Sequence, residues 1–358
     1  MKKWKNSALC LSIACGMLAV CLAGCKETPK PIVLPYDHGP HFGAKTEWWY
    51  FSGELQTDNG TAYGYEMTIF KVRQSGLDVF VNHLAVSDLQ TKVHSFAETT
   101  VINTPKLGNK KGKADINADA LSFTFDNDTG FHIEGSQGGI AIDLQLLPVL
   151  PVVLEADNGT INMPDGHISY YYSFTNLKTT GTLTLNGTTQ NIISNDTTKS
   201  RSWMDHQWGL FSISADAKQA WDWFSFRFED GSSLMAAHFR EKGTNEVLNG
   251  VVSNGLLINP HWMYQRADGT VERGTDVSID YARTWKDANA DATYAMDWTV
   301  SIPSLSATIS AVPAFDAQSL YNIMTPPYWE GIGTAESTIE GNKRNATAYI
   351  EMCGYDTL

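Results

Sequence analysis

The stretch EWWYFS at residues 47–52 is followed by the dipeptide Asn59-Gly60, and a similar stretch, WDWFS at residues 221–225, is followed by Asp230-Gly231. Alternation of this kind is typical of half-buried strands, because successive side chains of a strand point to opposite faces. Asn-Gly and Asp-Gly supply the positive φ angles that tight hairpins need. The recurrence of this aromatic hairpin predicts that each half of the chain opens its own antiparallel sheet.

The composition also favours strands. The chain has 358 residues, of which 42% are hydrophobic and only 18% are charged, and it contains 29 Gly and 11 Trp. This balance is typical of strands joined by tight turns rather than of amphipathic helices. Because antiparallel sheets hide their edges by closing, we predict an all-β protein with two tandem barrels, at residues 47–199 and 200–358. A barrel of eight strands leaves room for one ligand.

The N-terminus has the pattern of an export signal: three lysines, an apolar run and small residues before a cysteine. The stretch LAGC at residues 22–25 resembles the lipobox of bacterial lipoproteins, which implies cleavage after residue 24 and a lipid on Cys25. The alternative, an uncleaved anchor, needs a longer apolar run. Residues 25–46, rich in proline, are predicted to be a tether to the membrane. Lys26 after the cysteine implies the periplasmic face of the outer membrane in a Gram-negative host.

Several classes of partner and cofactor are excluded at this stage. With 26 basic and 39 acidic residues, the formal charge of −13 argues against nucleic-acid binding. His38 and His41 flank a Gly-Pro turn without a third ligand at a standard spacing, so we predict no metal. No nucleotide or dinucleotide fingerprint and no G-x-S-x-G nucleophile motif occurs, so we predict no cofactor. Outside the leader and Cys25 the only cysteine is Cys353, which leaves no intramolecular disulfide.

Four groups of motifs resemble those of one family, the two-domain lipocalin-like proteins that comprise the AttH-like proteins and the carotenoid 1,2-hydratases. The motifs are DHGPH at 37–41 with TEWWY at 46–50, NHLAVSD at 82–88, WMDHQWG at 203–209, and YWEG at 328–331 with YIE at 349–351. The AttH-like secreted lipoproteins are the most similar group. The resemblance implies two tandem lipocalin-like (calycin) barrels and an extended apolar ligand, an isoprenoid or a lipid. It also implies an activity of the hydratase or isomerase type.

The stretch from Asp205 to Trp208 carries the candidate catalytic residues. An aspartate in an apolar pocket has a raised pKa and can act as a general acid. If the segment is extended, Asp205 and Gln207 share one face, and His206 and Trp208 share the other. The resemblance implies that His206 and Trp208 point inward, and we assign catalysis to Asp205 and His206 jointly. The alternative is that this polar segment only closes the boundary between two barrels.

The predicted substrate-binding residues are aromatic or polar side chains on apolar strands. They are Trp208, Trp223, Glu47, Trp49, His83, Tyr171 and Tyr172. Trp faces stabilise the cation formed when an alkene is protonated. Three functions stay open: an enzyme for acid-assisted hydration, isomerisation or cyclisation at a carbon–carbon double bond, a non-catalytic carrier, and an envelope scaffold with filled barrels.

Overall fold

The structure, a computed structural model, describes residues 28–156, 158–163, 165–195, 199–212, 219–242, 259–321 and 327–355. The helical turns among these residues are the 3-10 helices Tyr36–His38 and Pro303–Leu305. No helix in this part of the chain is long and apolar enough to cross a membrane. The predicted signal peptide, residues 1–24, and the predicted lipidation site, Cys25, lie outside the described residues.

The first sheet contains thirteen strands in antiparallel pairs. They are β1 (Thr46–Gln56), β2 (Ala62–Gln74), β3 (Leu77–Asp88), β4 (Val93–Ile102), β5 (Asp115–Asn117), β6 (Leu121–Asp126), β7 (Gly130–Gln137), β8 (Ile140–Pro148), β9 (Val153–Leu154), β10 (Thr160–Asn162), β11 (Ile168–Leu185), β12 (Thr188–Ile192) and β13 (Arg201–Gly209). The order along the sheet is β4-β3-β2-β1-β13-β11-β8-β7-β6-β5, and β9, β10 and β12 pair with β11. The sheet curls, so that β3 and β4 contact β8 across the interior.

The second sheet contains ten strands. They are β14 (Gln219–Phe228), β15 (Ser233–Glu241), β16 (His261–Gln265), β17 (Val271–Gly274), β18 (Ser278–Asp287), β19 (Ala292–Ile302), β20 (Ala307–Pro313), β21 (Ser319–Leu320), β22 (Tyr328–Ile339) and β23 (Asn342–Cys353). The order is β17-β16-β15-β14-β23-β22-β20-β19-β18, with β21 paired to β22.

The two sheets repeat one topology. Each begins with a four-stranded meander, β1 to β4 or β14 to β17, and the last long strand of the sheet, β13 or β23, then pairs with the first. The aromatic hairpins β1–β2 and β14–β15 therefore occupy the same position in their sheets, as the internal repeat predicts. The predicted fold class, all-β with two tandem lipocalin-like barrels, is confirmed.

Two predicted boundaries need correction. The split between residues 199 and 200 assigns β13 to the second barrel, but this strand pairs with β1 and β11 of the first sheet. The chain leaves the first sheet only after Gly209, because the end of a barrel is set by hydrogen bonds and not by the turn that precedes its last strand. The predicted tether 25–46 is also too long: His38 is buried, and the Trp49 Nε1 donates to its carbonyl oxygen at 3.0 Å.

The hydrophobic residues form one core inside each barrel and a third between the two sheets. The third cluster consists of residues on the outer faces of both sheets: Tyr50, Val153, Trp203, Trp223, Met235, Ala237, Met263, Ile332 and Tyr349. It holds the two barrels together, since every one of these side chains is buried. The cleft described below lies beside this cluster.

Candidate functional site

A cleft opens between the outer faces of the two sheets. The first sheet contributes Trp48, Tyr50, Thr68, Phe70, Ile161, Met163, Tyr171, Asp205 and Gln207, and the second contributes Trp221, Trp223, Ala237, His238, Phe239, His261, Tyr328, Glu330 and Glu351. The centre of a water molecule can move through ≈ 100 Å³ of this space. The walls are mainly apolar, with a few polar groups, as in most small-molecule sites.

Asp205 lies at the first-sheet wall of the cleft, on the outer face of β13. Its Oδ1 accepts hydrogen bonds from Trp203 Nε1 at 2.6 Å and from Ser173 Oγ at 2.5 Å, and its Oδ2 accepts one from the Tyr171 hydroxyl at 2.7 Å. Burial raises the pKa of Asp205 to about 6, although these three hydrogen bonds favour the charged form. With a single donor on Oδ2, a lone pair of that oxygen is left for a water or a ligand.

Ser173 connects Asp205 to a second buried carboxyl group. Its Oγ lies 3.0 Å from Glu155 Oε1, and burial together with the charge of Asp205 raises the pKa of Glu155 to about 8. Glu155 is therefore protonated at neutral pH and can donate to Ser173, whose own hydrogen then points to Asp205. This direction of donation stabilises the ionised form of Asp205.

Glu330 and Glu351 face each other at the second-sheet wall, as direct cross-strand partners on β22 and β23. The Tyr50 hydroxyl donates to Glu330 Oε1 at 2.5 Å, while the buried Glu330 Oε2 has no partner. Burial and the neighbouring carboxyls Glu351 and Glu66 raise the pKa of Glu330 well above its usual range. Burial raises the pKa of Glu351 to about 7, although Trp221 Nε1 donates to it at 2.8 Å. Glu330 is therefore a neutral acid at physiological pH.

His238 borders the same cleft, but its side chain points into the second barrel, because it alternates with the cleft-facing Ala237 and Phe239. Its Nε2 lies 2.6 Å from Asp222 Oδ2, and Arg240 holds the same carboxylate through Nε at 2.8 Å. The Asp222–His238 pair therefore lies on the same face of β14 and β15 as Phe224 and Ala236 of the second-barrel core.

The opposite face of β13 points into the first barrel and carries a different cluster. His206 Nε2 lies 2.9 Å from Glu47 Oε1, His41 Nδ1 lies 2.7 Å from the same oxygen, and Lys71 Nζ lies 3.5 Å from Glu47 Oε2. Burial alone raises the pKa of a carboxyl, but the bonds from both imidazoles and the positive charge of His41 hold the pKa of Glu47 well below its usual range. We call His41, Glu47, Lys71 and His206 the first-barrel cluster.

Aromatic rings and one hydroxyl complete this cluster. The Tyr172 hydroxyl lies 3.0 Å from His206 Nδ1 and 2.5 Å from His38 Nδ1. Trp49 stacks on His206 with ring centroids 4.9 Å apart, and Trp208 stacks on His41 at 4.1 Å. Every residue of this set is buried or nearly so, and none lines the cleft.

The first-barrel cluster also contains a potential set of metal ligands. His41, Glu47 and His206 each offer one ligand atom within 4.8 Å of the others, and two histidines with a glutamate are a common zinc set. Here the imidazole nitrogens are bonded to the carboxylate, and Lys71 and His41 balance its charge; the pKa of His41 is raised because its bonds to Asp37 and Glu47 outweigh its burial. We interpret the cluster as an ion network that holds the segment around His41 across the barrel.

The predicted site residues therefore separate into two groups. Asp205, Tyr171 and Trp223 meet in the cleft, whereas the other predicted residues lie elsewhere: His206, Trp208, Glu47, Trp49 and Tyr172 in the first barrel, and His83 behind the cleft. His83 Nδ1 lies 2.6 Å from the hydroxyl of Tyr328, a lining residue. The faces predicted for the β13 residues are confirmed, and His206 and Trp208 do point inward.

Sequence reasoning missed Glu330 and Glu351 as site residues, and it did not place His238 beside the cleft. A signal for the two glutamates was present, since each stands alone in an apolar strand segment, YWEGIG at 328–333 and YIEMC at 349–353. A charged residue at a buried strand position needs a partner or a function. His238 had no comparable signal, because its partner Asp222 is known only from the pairing of β14 with β15.

Comparisons with known proteins agree with this architecture. The family model described as AttH-like matches residues 26–355. Among solved structures, an AttH protein from Nitrosomonas europaea is 24% identical with a TM-score of 0.77, over 92% of this chain and 98% of that chain. Kievitone hydratase from Nectria haematococca is 16% identical with a TM-score of 0.70, over 91% of this chain and 94% of that chain. At these identities the two structures show a shared fold. None of the curated proteins matches the sequence.

Proposed function

The chain belongs to the AttH-like family, and we propose that it binds an extended apolar molecule, an isoprenoid or a lipid, in the cleft and acts on a carbon–carbon double bond of that molecule. The reaction is hydration, with isomerisation or cyclisation as variants of the same protonation step. One of the fold neighbours is named a hydratase. Hydration is therefore the first of these reactions to test.

The observation that carries this proposal is the pairing of two carboxyl groups with different protonation states across one apolar cleft. Glu330 is neutral and has a free Oε2, whereas Asp205, with a pKa of about 6, is mainly ionised at neutral pH. Tyr50 connects them, since it is the cross-strand partner of Asp205 and its hydroxyl donates to Glu330. Environments that push the pKa values of two acids apart assign one as acid and the other as base.

The proposed hydration is balanced. Glu330 Oε2 gives its proton to one alkene carbon, and the π electrons form the new C–H bond and leave the other carbon positive. A water molecule bonds to that carbon through oxygen and gives a proton to Asp205 Oδ2. The product has gained one water, and the proton returns from Asp205 to Glu330 through solvent in the cleft. Asp205 thus acts as the base rather than as the acid expected from the sequence, and His206 takes no direct part.

The aromatic wall of the cleft stabilises the carbocation intermediate. Trp48, Trp221 and Trp223 line the cleft, and the face of a tryptophan attracts a cation by about 1–2 kcal/mol when water is excluded. A carbocation formed beside these rings is therefore stabilised more than the neutral alkene is. Stabilising the transition state more than the ground state is what accelerates a reaction.

The test is mass spectrometry of the organic extract of purified Cys25→Ser protein, before and after incubation with a bacterial lipid extract. We expect an isoprenoid or lipid that gains the mass of one water or changes its isomer. Asp205→Asn and Glu330→Gln are each expected to slow this conversion by roughly 10²–10⁴-fold. The matched control is Asp280→Asn, the same change at an exposed position of β18. Equal turnover by Asp205→Asn and the control would refute the enzyme.

A carrier is the second candidate. The three donors to Asp205 leave one lone pair on its Oδ2, and this lone pair is sufficient to bind the headgroup of a carried molecule. In that case the same molecule is recovered unchanged from wild-type and Asp205→Asn protein. If the extracts of wild-type and Asp205→Asn protein contain no ligand, the result favours an envelope scaffold whose barrels are filled by their own side chains.

We further propose that a lipid on Cys25 tethers the protein to the periplasmic face of the bacterial outer membrane. The support is the lipobox-like stretch at residues 22–25 and Lys26 after it. A single acyl chain binds membranes only marginally, whereas a diacylglycerol chain pair anchors stably. Membrane fractionation tests this: Cys25→Ser protein is expected in the soluble fraction, and its retention in the membrane would contradict the tether.

A further inference from the structure

The carboxyl groups that line the cleft have no Lys or Arg side chain beside them in the described part of the lining. Asp205, Glu330 and Glu351 contribute carboxyl groups, and none of the described lining residues is Lys or Arg. The other titratable groups near them are the acids Glu66, Glu155 and Asp222, His261 and tyrosine hydroxyls. A cavity with this charge pattern attracts positive charge and repels negative charge.

Among the residues that the structure describes, no lysine or arginine is hydrogen-bonded to Asp205, Glu330 or Glu351. The contacts of Glu330 are the Tyr50 hydroxyl and the neighbouring carboxyls Glu351 and Glu66, and Glu330 Oε2 is buried without a hydrogen bond. Glu351 is bonded to Trp221 Nε1, and the groups that act on it electrostatically are acids. A buried carboxyl oxygen without a hydrogen-bond partner destabilises the fold, so a hydrogen-bond donor of a ligand binds favourably there.

Aromatic side chains surround this acidic patch. Trp221 Nε1 donates a hydrogen bond to Glu351, and Trp223 is the cross-strand partner of Glu351. The ring of Tyr50 lies edge-on to Trp223, with ring centroids 5.7 Å apart. Carboxylates combined with tryptophan faces are the usual means of recognising amines and quaternary ammonium groups. The same arrangement suits a carbon atom that becomes positive during a reaction.

From this arrangement we propose that the cleft selects its ligand by charge: it takes apolar molecules whose end in the cleft is uncharged or positive, and it rejects fatty acids and isoprenoid diphosphates. The inference rests on the proposed function, since it names the substrate class of that site. Within that class, a protonated amine that replaces the cationic carbon binds more tightly than the neutral substrate analogue.

Binding of the amine is linked to protons. A cation that enters beside Glu330, Glu351 and Asp205 favours their ionised forms, so it releases protons that the empty cleft holds. The affinity for the amine must therefore rise with pH. A neutral ligand does not change the ionisation of these acids, whereas an anionic ligand favours their protonated forms.

The experiment compares three probes with one apolar skeleton: farnesol, N,N-dimethylfarnesylamine and farnesoic acid. Quenching of tryptophan fluorescence in Cys25→Ser protein reports binding, because Trp48, Trp221 and Trp223 line the cleft. At pH 8 we expect the amine to bind about tenfold more tightly than the alcohol, and the acid about tenfold more weakly. Between pH 6 and pH 8 the affinity for the amine should rise while that for the alcohol stays constant.

Two variants locate the effect. Glu330→Gln keeps a carbonyl oxygen for the Tyr50 hydroxyl but removes the charge, so the advantage of the amine over the alcohol should shrink while farnesol still binds. Glu336→Gln is the matched control, the same change at an exposed position of the same strand β22. It should bind all three probes as the wild-type protein does.

The outcomes separate this inference from the proposed function. Farnesoic acid bound as tightly as farnesol, no binding of any probe, or an amine advantage that persists unchanged in Glu330→Gln would overturn the charge selection even if turnover depends on Asp205. The expected order of affinities with no turnover of any lipid supports the charge selection and removes the enzyme.

Discussion

Two buried acids lie on opposite faces of the first sheet, Glu47 on β1 and Asp205 on the neighbouring β13, and their pKa values are shifted in opposite directions. On the barrel side, Glu47 is surrounded by His41, His206 and Lys71, and its pKa is held well below the usual range. On the cleft side, Asp205 is surrounded by neutral donors, and burial raises its pKa to about 6. Burial penalises both charges, so the difference comes from the hydrogen bonds that His206 and His41 make to Glu47 and from the charge of His41.

This difference distinguishes a structural cluster from a functional one. A buried carboxylate with its own counter-charges is already neutralised and contributes to a rigid arrangement. Buried acids without counter-charges, such as Glu330 and Glu351, hold protons that can be given to a ligand or exchanged for a cation. We therefore propose that the chemistry takes place on the cleft side of β13 and that the barrel side has a structural role.

The largest effect is expected from breaking the barrel side. Lys71→Met leaves the carboxylate of Glu47 buried without its ammonium partner and removes the bond from Lys71 Nζ to the carbonyl oxygen of Ala44. We expect a loss of about 3–5 kcal/mol in the free energy of unfolding, measured by urea denaturation. Lys343→Met, at an exposed position of β23, is the control and should change stability by less than about 0.5 kcal/mol. Equal effects of the two changes would show that Glu47 needs no counter-charge.

The pH dependence of stability should differ in sign between the two sides. The pKa of Glu351 is raised from 4.5 to about 7, so its contribution is complete below pH 4.5 and is lost as the pH rises to about 7. Relative to Glu351→Gln, the wild-type protein should therefore lose up to about 3 kcal/mol across this window. Glu47 has a lowered pKa, and its contribution is present above pH 4.5 and lost on acidification below it.

The measurement is a series of urea unfolding curves from pH 4 to pH 8 for wild-type, Glu351→Gln and Glu47→Gln protein. A Glu351→Gln variant that follows the wild-type curve throughout would show that Glu351 is not perturbed. The Glu47→Gln variant serves as the control of opposite sign.

A smaller difference is expected between two buried tyrosine hydroxyls. Tyr172→Phe removes the group that bridges His38 and His206, which leaves two imidazole nitrogens without a partner. Tyr50→Phe leaves only Glu330 Oε1 without its donor. We expect losses of about 2 kcal/mol and about 1 kcal/mol in the free energy of unfolding, respectively. The reverse order would mean that the cleft, and not the first barrel, depends more on its hydrogen bonds.

The smallest effect is expected from zinc. Because the nitrogens of His41 and His206 are bonded to Glu47 and Lys71 helps to neutralise that carboxylate, a zinc ion must displace protons to bind. Excess zinc should therefore raise the Tm by less than about 1 °C. A rise in Tm of several degrees that is absent in His206→Ala protein would show that His41, Glu47 and His206 bind zinc.

Local periodicity was sufficient for the fold and for one part of the site. The period of two in DHQW at residues 205–208 separates Asp205 from His206, and the structure has them on opposite faces. Which face meets a ligand was beyond the sequence. Asp205 and His206 were predicted to act jointly, but a strand directs neighbouring side chains to opposite faces.

The partners of these residues were also beyond the sequence, because they are distant along the chain. Glu47 and His206 are 159 positions apart, and Tyr50 and Glu330 are 280 positions apart. Such pairs arise from the closing of one sheet or the packing of two. No spacing rule connects them, and the absence of a third ligand near His38 and His41 therefore said nothing about Glu47 and His206.

By itself the sequence determined the strands, their turns, the repeated aromatic hairpin and the alternation of side chains along β13, because these follow from interactions between residues that are neighbours in the chain. The tertiary structure alone decided that β13 closes the first sheet and that its outer face borders a cleft. It also decided that, among the described residues, Glu47 has counter-charges and Asp205 has none. The physical reason is that the charge state of a buried acid depends on its desolvation and on the charges a few ångströms away, and folding brings both from distant parts of the chain.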